Sequence, residues 1–343
     1  MEAAAGQRTR NWWWARVPAQ QRVAFLVMLA FFAVAPAFVY PVFLMKVMCF
    51  ALFASAFNLL LGYGGLLSFG HAMFLGMAGY VAAHTAKLGL VVGGFRMLGV
   101  EVPVLMELPP FSPELAILAG AGASCALGVI SGLIAIRRQG IYFAMITLAL
   151  AQMIYFFCLQ APFTHGEDGI QAVPRGKLFG VVDLSDVTAM YCTVLAIFFA
   201  GFLLIYRVIH SPFGQVLKAI RENEARAISL GYDTTRYKLL AYVLSATLSG
   251  VAGAVSALVF QVAALNAVYW TMSGEVVLMT LVGGMGTVFG PVTGALVVMA
   301  MENYFAQLGA WVTVAQGAVF VVCVLMFRRG IVGELARWLK KPL

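Results

Sequence analysis

Apolar stretches of about 20 residues recur along this chain of 343 residues, and they limit its possible folds more than any other feature. A helix of about 20 residues crosses the hydrocarbon core of a bilayer and satisfies its own backbone hydrogen bonds there. Only 10% of the residues are charged, too few to cover a soluble protein of this size. The chain is therefore predicted to be an all-α, polytopic helical membrane protein. The first candidate spans are 23–40, 42–61, 66–86, 114–136, 140–160, 187–207 and 239–260.

The positive charges are unevenly distributed, and this sets the predicted orientation. Cytoplasmic loops of membrane proteins carry an excess of Lys and Arg. The loops 87–114 and 161–186 hold seven acids against four bases and are predicted to lie outside. The net charge of +8 is thus explained by topology, and binding of nucleic acid is not expected. Seventeen of the 22 Lys and Arg residues fall in the four segments 8–22, 137–138, 207–238 and 328–341.

The region after residue 274 decides the number of spans. Seven crossings that start inside leave 261–274 outside, whereas the basic C-terminal segment is predicted to lie inside, so residues 275–327 must cross an odd number of times. One crossing cannot use about fifty residues, but three crossings can. The prediction is about ten spans with broken or re-entrant helices and both termini cytoplasmic. The three added spans are a short helix at 275–285, then 289–307 and 311–327.

Two glycine-rich segments interrupt the helical pattern far apart in sequence. Residues 62–80 read GYGGLLSFGHAMFLGMAGY and residues 283–295 read GGMGTVFGPVTGA, with a Gly-Gly pair and a Phe-Gly pair in common. Interrupted segments in two halves indicate a transporter built from repeats around a midplane pathway. Small-residue helix packing would also enrich glycine, and the sequence leaves both interpretations open. The predicted break residues are Gly64, Gly65, Gly70, Gly283, Gly284, Gly286, Gly290 and Pro291.

The run SPFGQVLKAIRENEARAISLG is charged and amphipathic. Ser211 suits an N-cap, Pro212 the first helical position and Gly231 the position just past the end, so one helix is predicted. Glu224 interrupts the apolar face, where a buried carboxylate needs a partner. Either the helix lies on lipid with Glu224 turned to water or paired with Arg221, or it sits in another protein's groove and meets a donor there. The apolar face comprises Phe213, Val216, Leu217, Ile220, Ala227 and Ile228.

This run and its continuation, YDTTRYKLLAYVLSATLSGVAGA, resemble the cytoplasmic loop of ABC importer permeases, whose EAA-type helix seats in a cleft of the ATPase subunit. Together with the two glycine-rich segments and DGIQAVPRG at 168–176, the chain resembles the LivH/LivM family of branched-chain amino acid permeases, in particular its LivM type, over nearly its whole length. Two positions depart from the pattern. Arg226 replaces a second alanine of the general motif, and His165 stands where many relatives have glycine.

The resemblance implies one transmembrane permease domain, 1–343, with a cytoplasmic coupling loop at 208–238. It also implies a bacterial cytoplasmic (inner) membrane protein that works with a homologous LivH-like permease, two ABC ATPase subunits and an extracytoplasmic substrate-binding protein. That protein would dock near the loop 165–175. The implied ATPase-coupling residues are Phe213, Gly214, Leu217, Ile220, Glu224, Ala225, Ala227 and Gly231.

No G-x-x-x-x-G-K-[ST] motif occurs, so ATP and Mg²⁺ are expected on the partner subunits and no cofactor or catalysis is expected in this chain. The expected function is that of the permease subunit of an ABC importer for branched-chain or other small amino acids. Same-family import of urea, short amides or nucleosides is the near alternative. An ion-coupled secondary carrier would need an intramembrane acid or histidine relay, and a membrane enzyme a clustered acid–base or metal site. No metal site is expected, since the histidines are far apart at His71, His84, His165 and His210.

Polar residues inside the predicted spans are candidates for the translocation pathway. Intramembrane carboxylates are costly and rarely idle, so Glu302 is predicted to lie in the pathway or at a subunit interface. Glu275 is instead predicted to favour the N-terminus of its helix beside Ser273. His71 either lines the pathway or bonds a carbonyl freed by the break, and polar residues such as Asn58 also commonly bond between helices. The pathway candidates are Asn58, Ser68, His71 and Glu302.

Overall fold

The computed structural model describes residues 19–89, 109–305, 311–326 and 330–338, together with 91–92, 96–97, 100–101, 106–107 and 309. This part of the chain is dominated by α-helices. The helices are α1 (Ala19–Val34), α2 (Pro41–Asn58), α3 (His71–Leu88), α4 (Pro113–Ala135), α5 (Ile141–Gln160), α6 (Val187–His210), α7 (Pro212–Glu222), α8 (Glu224–Ser229), α9 (Thr234–Phe260), α10 (Trp270–Gly283), α11 (Gly290–Tyr304), α12 (Trp311–Met326) and α13 (Gly330–Trp338).

Short antiparallel strand pairs supplement the helices in the loops, each with two residues per strand. Strand β1 (Val91–Val92) pairs with β4 (Met106–Glu107), β2 (Arg96–Met97) with β3 (Val100–Glu101), β5 (Ile170–Gln171) with β8 (Val262–Ala263), and β6 (Lys177–Leu178) with β7 (Val182–Asp183).

The helical membrane architecture predicted from the sequence is confirmed. Helices α1–α6 and α9–α12 overlap the predicted spans one for one. The chain is a polytopic helical membrane protein, and residues 1–18 and 339–343, on which the predicted placement of both termini depends, lie outside the described residues. Within the described ranges, the helices that are long and apolar enough to cross a membrane on their own are Pro41–Tyr63, Pro113–Ala135, Ile141–Gln160, Val187–His210 and Thr234–Phe260.

Helix α9 lies at the centre of the core and packs against α2, α3 and α4. Small residues allow this close packing: a methyl group at Gly253 would lie 1.9 Å from the carbonyl oxygen of Leu75 in α3. Membrane helices associate through such small-residue contacts, because lipid offers no hydrophobic drive for helix pairing. The central position of α9 places it in contact with three other membrane helices.

Both glycine-rich segments are interruptions between helices. After α2 the chain makes a π-helical turn, Leu59–Tyr63, and α3 begins only at His71, five residues later than the predicted span. Between α10 and α11, Gly284 and Gly286 have φ of 126° and 79°, which residues with a Cβ rarely adopt. In both interruptions the new helix begins next to the shared Phe-Gly pair.

The DGIQAVPRG segment contacts the C-terminal ends of α3 and α9. Strand β5 pairs with β8, which directly follows α9. Lys87 at the end of α3 donates to the carbonyl of Gln171 at 2.7 Å, and Arg175 donates to the carbonyl of Val259 at 2.8 Å. The predicted solvent-exposed loop is therefore a structural tie between α3 and α9.

Candidate functional site

The loop 208–238 contains two helices where the sequence predicted one. Asn223 has extended backbone angles (φ −155°, ψ 95°), which end α7 and separate it from α8. Its Oδ1 accepts from the backbone N–H of Arg226 at 3.0 Å, so Asn223 is the N-cap of α8. The single-helix prediction is wrong because this side chain offers the backbone an alternative to continuing the helix.

The predicted ends of the charged run are confirmed. Ser211 caps α7 by accepting from the N–H of Gly214 at 3.4 Å. Gly231 has φ 86° just past α8 and donates its N–H to the carbonyl of Ile228 at 2.9 Å, while the N–H of Tyr232 bonds Ala227 O at 3.1 Å. These two bonds form a Schellman C-cap, which stops α8 before the turn into α9.

The apolar side of α7 is covered by the chain itself. Leu217 and Ile220 are buried, and a methyl group at Gly214 would lie 2.3 Å from the carbonyl oxygen of Ile209 in α6. Phe213 stacks on Tyr237 of α9 with ring centroids 5.6 Å apart. These predicted coupling residues therefore hold α7 to α6 and α9 of the same chain.

Unlike α7, α8 and the turn after it leave apolar side chains exposed. Ala227 is buried and Ala225 exposed, but Ile228, which the helical pattern assigned to the common apolar face, is exposed. Ile228, Leu230 and Tyr232 together present an exposed apolar edge, with Leu230 71% exposed. Exposed apolar groups gathered at one place indicate an interaction surface.

Glu224 has a partner within the chain. Its Oε1 accepts from Lys238 Nζ in α9 at 2.6 Å, and the two side chains are 24% and 7% exposed. Pairing with Arg221, exposure to water and pairing with a donor on another protein were the alternatives from the sequence, and none describes this contact. The pair fastens α8 to the first turns of the central helix α9.

Arg221 connects α7 to the first glycine-rich segment. Its Nη1 donates a short hydrogen bond to the carbonyl of Gly62, in the π-helical turn that ends α2. Lys218, one turn earlier in α7, has its Nζ 5.3 Å from the centroid of the Tyr63 ring, a cation–π contact. Two cations of the loop thus bind the end of α2.

Asn58 connects the same place to the second glycine-rich segment. Its Nδ2 donates to the carbonyl of Thr287 and its Oδ1 accepts from the N–H of Gly286, both at 2.9 Å. We call Asn58, Gly62, Arg221, Gly286 and Thr287 the joint. It brings the α2–α3 interruption, the α10–α11 interruption and α7 together. A cleft of about 460 Å³ opens beside it and is lined by polar groups that include Gln21, His210, Lys218 and Glu222.

His71 is a fully buried core residue. Its Nε2 lies 2.9 Å from Ser245 Oγ, and Ser245 donates its only hydroxyl hydrogen to the carbonyl of Ala56 at 2.6 Å. His71 Nε2 must therefore carry a proton and donate to Ser245. The rings of Phe57 and Phe74 pack edge-on against the imidazole. In this arrangement His71 joins α3 to α9 and, through Ser245, to α2.

Ser68 acts within its own loop. Its Oγ accepts from the N–H of Gly70 at 3.2 Å just before α3 begins. The N–H of Ala72, in the first turn of α3, donates to Ser273 Oγ of α10 at 2.9 Å. The start of α3 is thus supported by side chains, as an interrupted membrane helix requires.

Glu302 forms an ion pair that the sequence did not suggest. Its Oε1 lies 3.0 Å from Lys46 Nζ in α2, with the side chains 40% and 26% exposed. The signal for Lys46 was available, because it is a lysine within the predicted span 42–61. Glu275 is not a capping residue: α10 begins at Trp270 and has no acid in its first turn, so that prediction is wrong. Glu275 lies in the second turn of α10, a helix that packs against α2 and α11.

A family model described as "Branched-chain amino acid transport system / permease component" matches residues 41–327. The chain belongs to this family of permeases. The membership predicted from motifs is confirmed, and the matched region contains the joint, the loop 208–238 and the Lys46–Glu302 pair. Among the described residues of this permease, no group of three His, Cys, Asp or Glu side chains is arranged to hold a metal ion.

Curated relatives of the permease share about a quarter of its residues. The high-affinity branched-chain amino acid transport system permease protein LivM of Salmonella typhimurium is 24% identical over 307 residues, which is 83% of this chain and 68% of that protein. LivM of Escherichia coli gives the same identity and coverage. The ribose import permease protein RbsC of Bacillus subtilis is 27% identical over 265 residues, 71% of this chain and 77% of that protein. No solved structure matches the permease.

Proposed function

We propose that this chain is the transmembrane permease subunit of an ABC importer that moves branched-chain or other small amino acids across a bacterial inner membrane. The family membership and the LivM relatives support the substrate class. ATP and Mg²⁺ would bind to partner ATPase subunits, so the chain itself is not an enzyme. A homologous LivH-like permease and an extracytoplasmic substrate-binding protein would complete the assembly.

The observation that carries the proposal is the joint. A loop that receives motion from an ATPase must be attached to the parts of the membrane domain that move. Here Arg221 attaches α7 to Gly62, and Asn58 attaches the same point to Gly286. Interruptions with glycines at positive φ are where helices change direction at least cost, so they are natural hinges.

Loop 208–238 would lie in the cytoplasm, receive motion from the ATPase at one surface and transmit it to the membrane domain through two contacts. The ATPase would dock on the apolar edge, Ile228, Leu230 and Tyr232, which the chain leaves uncovered. The Glu224–Lys238 pair passes motion of α8 to α9, and Arg221 passes motion of α7 to both interruptions. Closure of the ATPases would then open or close a pathway between the two permeases.

A second candidate is import of a different solute by the same mechanism. The ribose import permease among the relatives supports it, because it covers most of this chain at similar identity. Urea, short amides and nucleosides belong to the same alternative. The joint and the loop would act identically for any of these solutes, so only the pathway distinguishes them.

The experiment is to co-purify the tagged chain with its native partners and place the assembly in liposomes with each solute and its binding protein. We expect ATPase subunits in the purified assembly and MgATP-dependent uptake of leucine, isoleucine or valine. Liposomes that hold a non-hydrolysable ATP analogue are the control. Uptake of ribose or urea alone would favour the second candidate. A chain that purifies without ATPases and transports without ATP would overturn both.

A further inference from the structure

The cleft beside the joint contains charged side chains that do not pair with each other. Lys218 and Glu222 both line it and are one turn apart in α7, a spacing at which a lysine and a glutamate commonly form an ion pair. Here the Lys218 ammonium instead lies over the ring of Tyr63. In the part of the chain that the structure describes, no ion pair reaches Lys218 or Glu222. The cleft therefore offers both charges to a ligand.

Hydrogen-bond donors occupy part of the cleft wall. Arg221 uses one of its several N–H donors on the carbonyl of Gly62, and the ammonium of Lys218 adds further donors. Tyr206 in α6 donates its hydroxyl hydrogen to Gln21 Oε1 at 2.6 Å, so the amide Nε2 is the donor end that Gln21 keeps for the cleft. Phosphate oxygens form their strongest hydrogen bonds with charged donors such as these.

Hydrogen-bond acceptors line the same cleft, so it is not simply a basic surface. Glu222 supplies a carboxylate. His210 Nδ1 lies 2.9 Å from the carbonyl of Tyr206, and because a carbonyl only accepts, Nδ1 carries the proton and Nε2 of the neutral ring is an acceptor. Lys218 and Arg221 outnumber Glu222, which leaves the lining with a net positive charge. A matching ligand has an anionic group and an N–H or O–H donor beside it.

The cleft lies at the depth of lipid head groups. It is lined by Gln21 in the first turn of α1 and by His210, the last residue of α6. Helix α6 has 24 residues and a length of about 36 Å, so its ends extend past a hydrocarbon core roughly 30 Å thick. Val23 is exposed close to Gln21, and Leu204 is exposed about 9 Å before His210. An apolar surface suited to acyl chains therefore adjoins the polar cleft.

We infer that this cleft binds the head group of a membrane phospholipid. The phosphate lies between Lys218 and Arg221, and a hydroxyl or ammonium group of the same head group donates to Glu222. Phosphatidylglycerol and phosphatidylethanolamine carry such a donor, whereas the methylated ammonium of phosphatidylcholine does not. Basic pockets between membrane helices on the cytoplasmic side commonly bind phospholipid head groups. Inorganic phosphate shares the anionic group but has no acyl chain to use the surface at Val23 and Leu204.

A head group bound in this cleft supports the joint. Gly62 and Gly286 also line the cleft, so it borders both glycine-rich interruptions. The bound lipid connects the ends of α1 and α6 to α7 and holds Arg221 against Gly62. The inference concerns the lipid and does not depend on which solute the permease carries.

The first test measures lipid binding to the full-length chain, purified with the subunits that accompany it. Lys218→Gln is compared with Arg137→Gln, which also removes one positive charge, from an exposed arginine just past α4 and outside the cleft. In native mass spectrometry we expect the wild type to bind phosphatidylglycerol and phosphatidylethanolamine more tightly than phosphatidylcholine. Lys218→Gln should weaken binding of phosphatidylglycerol about tenfold or more, as for loss of a charge-assisted contact, and Arg137→Gln less than about twofold. Equal effects of the two variants would mean general attraction to positive charge and overturn the inference.

The second test uses the wild-type chain, so no substitution can disturb its fold. A water-soluble acylating reagent modifies lysines, and mass spectrometry gives the rate at each one. With phosphatidylglycerol at about ten times its Kd, we expect acylation of Lys218 to slow about tenfold. The rate at Lys177, exposed in β6, should not change. Protection of Lys218 by inorganic phosphate without lipid would assign the cleft to a free anion and overturn the lipid inference. Absence of protection by either would overturn it as well.

Discussion

The Glu224–Lys238 pair of the loop 208–238 and the Lys46–Glu302 pair of the membrane domain join the same residue types across helices, at 2.6 and 3.0 Å. Their surroundings differ. Lys238 is almost completely buried, whereas Lys46 and Glu302 are both partly exposed. The first pair is closed to solvent at its lysine, and the second is open.

This difference in exposure determines how much stability the loss of each pair should cost. A buried pair that loses one partner leaves an uncompensated charge and costs about 3–5 kcal/mol, while a partly exposed pair contributes about 0–1 kcal/mol. Changes in the closed pair should therefore disturb the position of α8 and the stability of the assembly. Changes in the open pair should leave stability nearly unchanged.

The largest effect is expected from Glu224→Ala. The change leaves Lys238 buried without a partner and detaches α8 from α9, so we expect a loss of about 3 kcal/mol of stability, less than a fully buried pair because Glu224 is partly exposed. Membrane insertion should remain, but ATPase association and uptake should be lost. Chemical denaturation of the purified chain and pull-down of the ATPase subunits measure the two effects.

The double variant Glu224→Ala/Lys238→Met is the control for this prediction. Methionine removes the unpaired charge and keeps much of the volume, so stability should return towards that of the wild type. ATPase association should remain weak, because α8 is still detached. A double variant as unstable as Glu224→Ala would show that the buried charge is not the cause.

A smaller effect is expected from Arg221→Ala, which removes the hydrogen bond of the joint between α7 and Gly62. Loss of a hydrogen bond from a charged donor costs about 1.5–3 kcal/mol, and here the loss falls on the contact that links α7 to Gly62. We expect ATPases still to bind and hydrolyse ATP, while leucine uptake per ATP falls about tenfold. Comparison of the two rates in the same liposomes measures the uncoupling.

Arg226→Ala is the matched control, since Arg226 lies in the same loop, is exposed and contributes only its backbone N–H to the contact with Asn223. It should couple normally. Equal uncoupling by Arg226→Ala and Arg221→Ala would mean that the loop's overall charge matters and the joint does not.

Much of the helical fold was predictable because membrane spans are long, apolar and local. Each predicted span contains a helix, and the caps of α7 and α8 follow from Ser211 and Gly231. The break at Asn223 was missed although asparagine is a good N-cap, because one helix and two helices share the same amphipathic pattern here. The start of α10 at Trp270 was missed because an acid was taken as the start signal, whereas Ser273 bonds to α3.

The contacts that build the candidate site were not predictable in the same way. The partner of Glu224 is in α9, and that of Glu302 is in α2, more than 250 residues away. Such pairs depend on how helices pack, which periodicity does not encode. Of the two lysine partners, Lys46 was visible in the sequence as a charge inside a predicted apolar span, and by the usual cost of such charges it required an explanation.

The smallest effect on stability, and the sharpest contrast with Glu224→Ala, is expected from Glu302→Gln. The pair with Lys46 is partly exposed, so its loss should change the free energy of unfolding by less than about 1 kcal/mol. Chemical denaturation, measured under the same conditions as for Glu224→Ala, tests this difference. A loss of stability as large as that of Glu224→Ala would show that both pairs hold their helices together to the same extent. The distinction between a closed and an open pair would then be wrong.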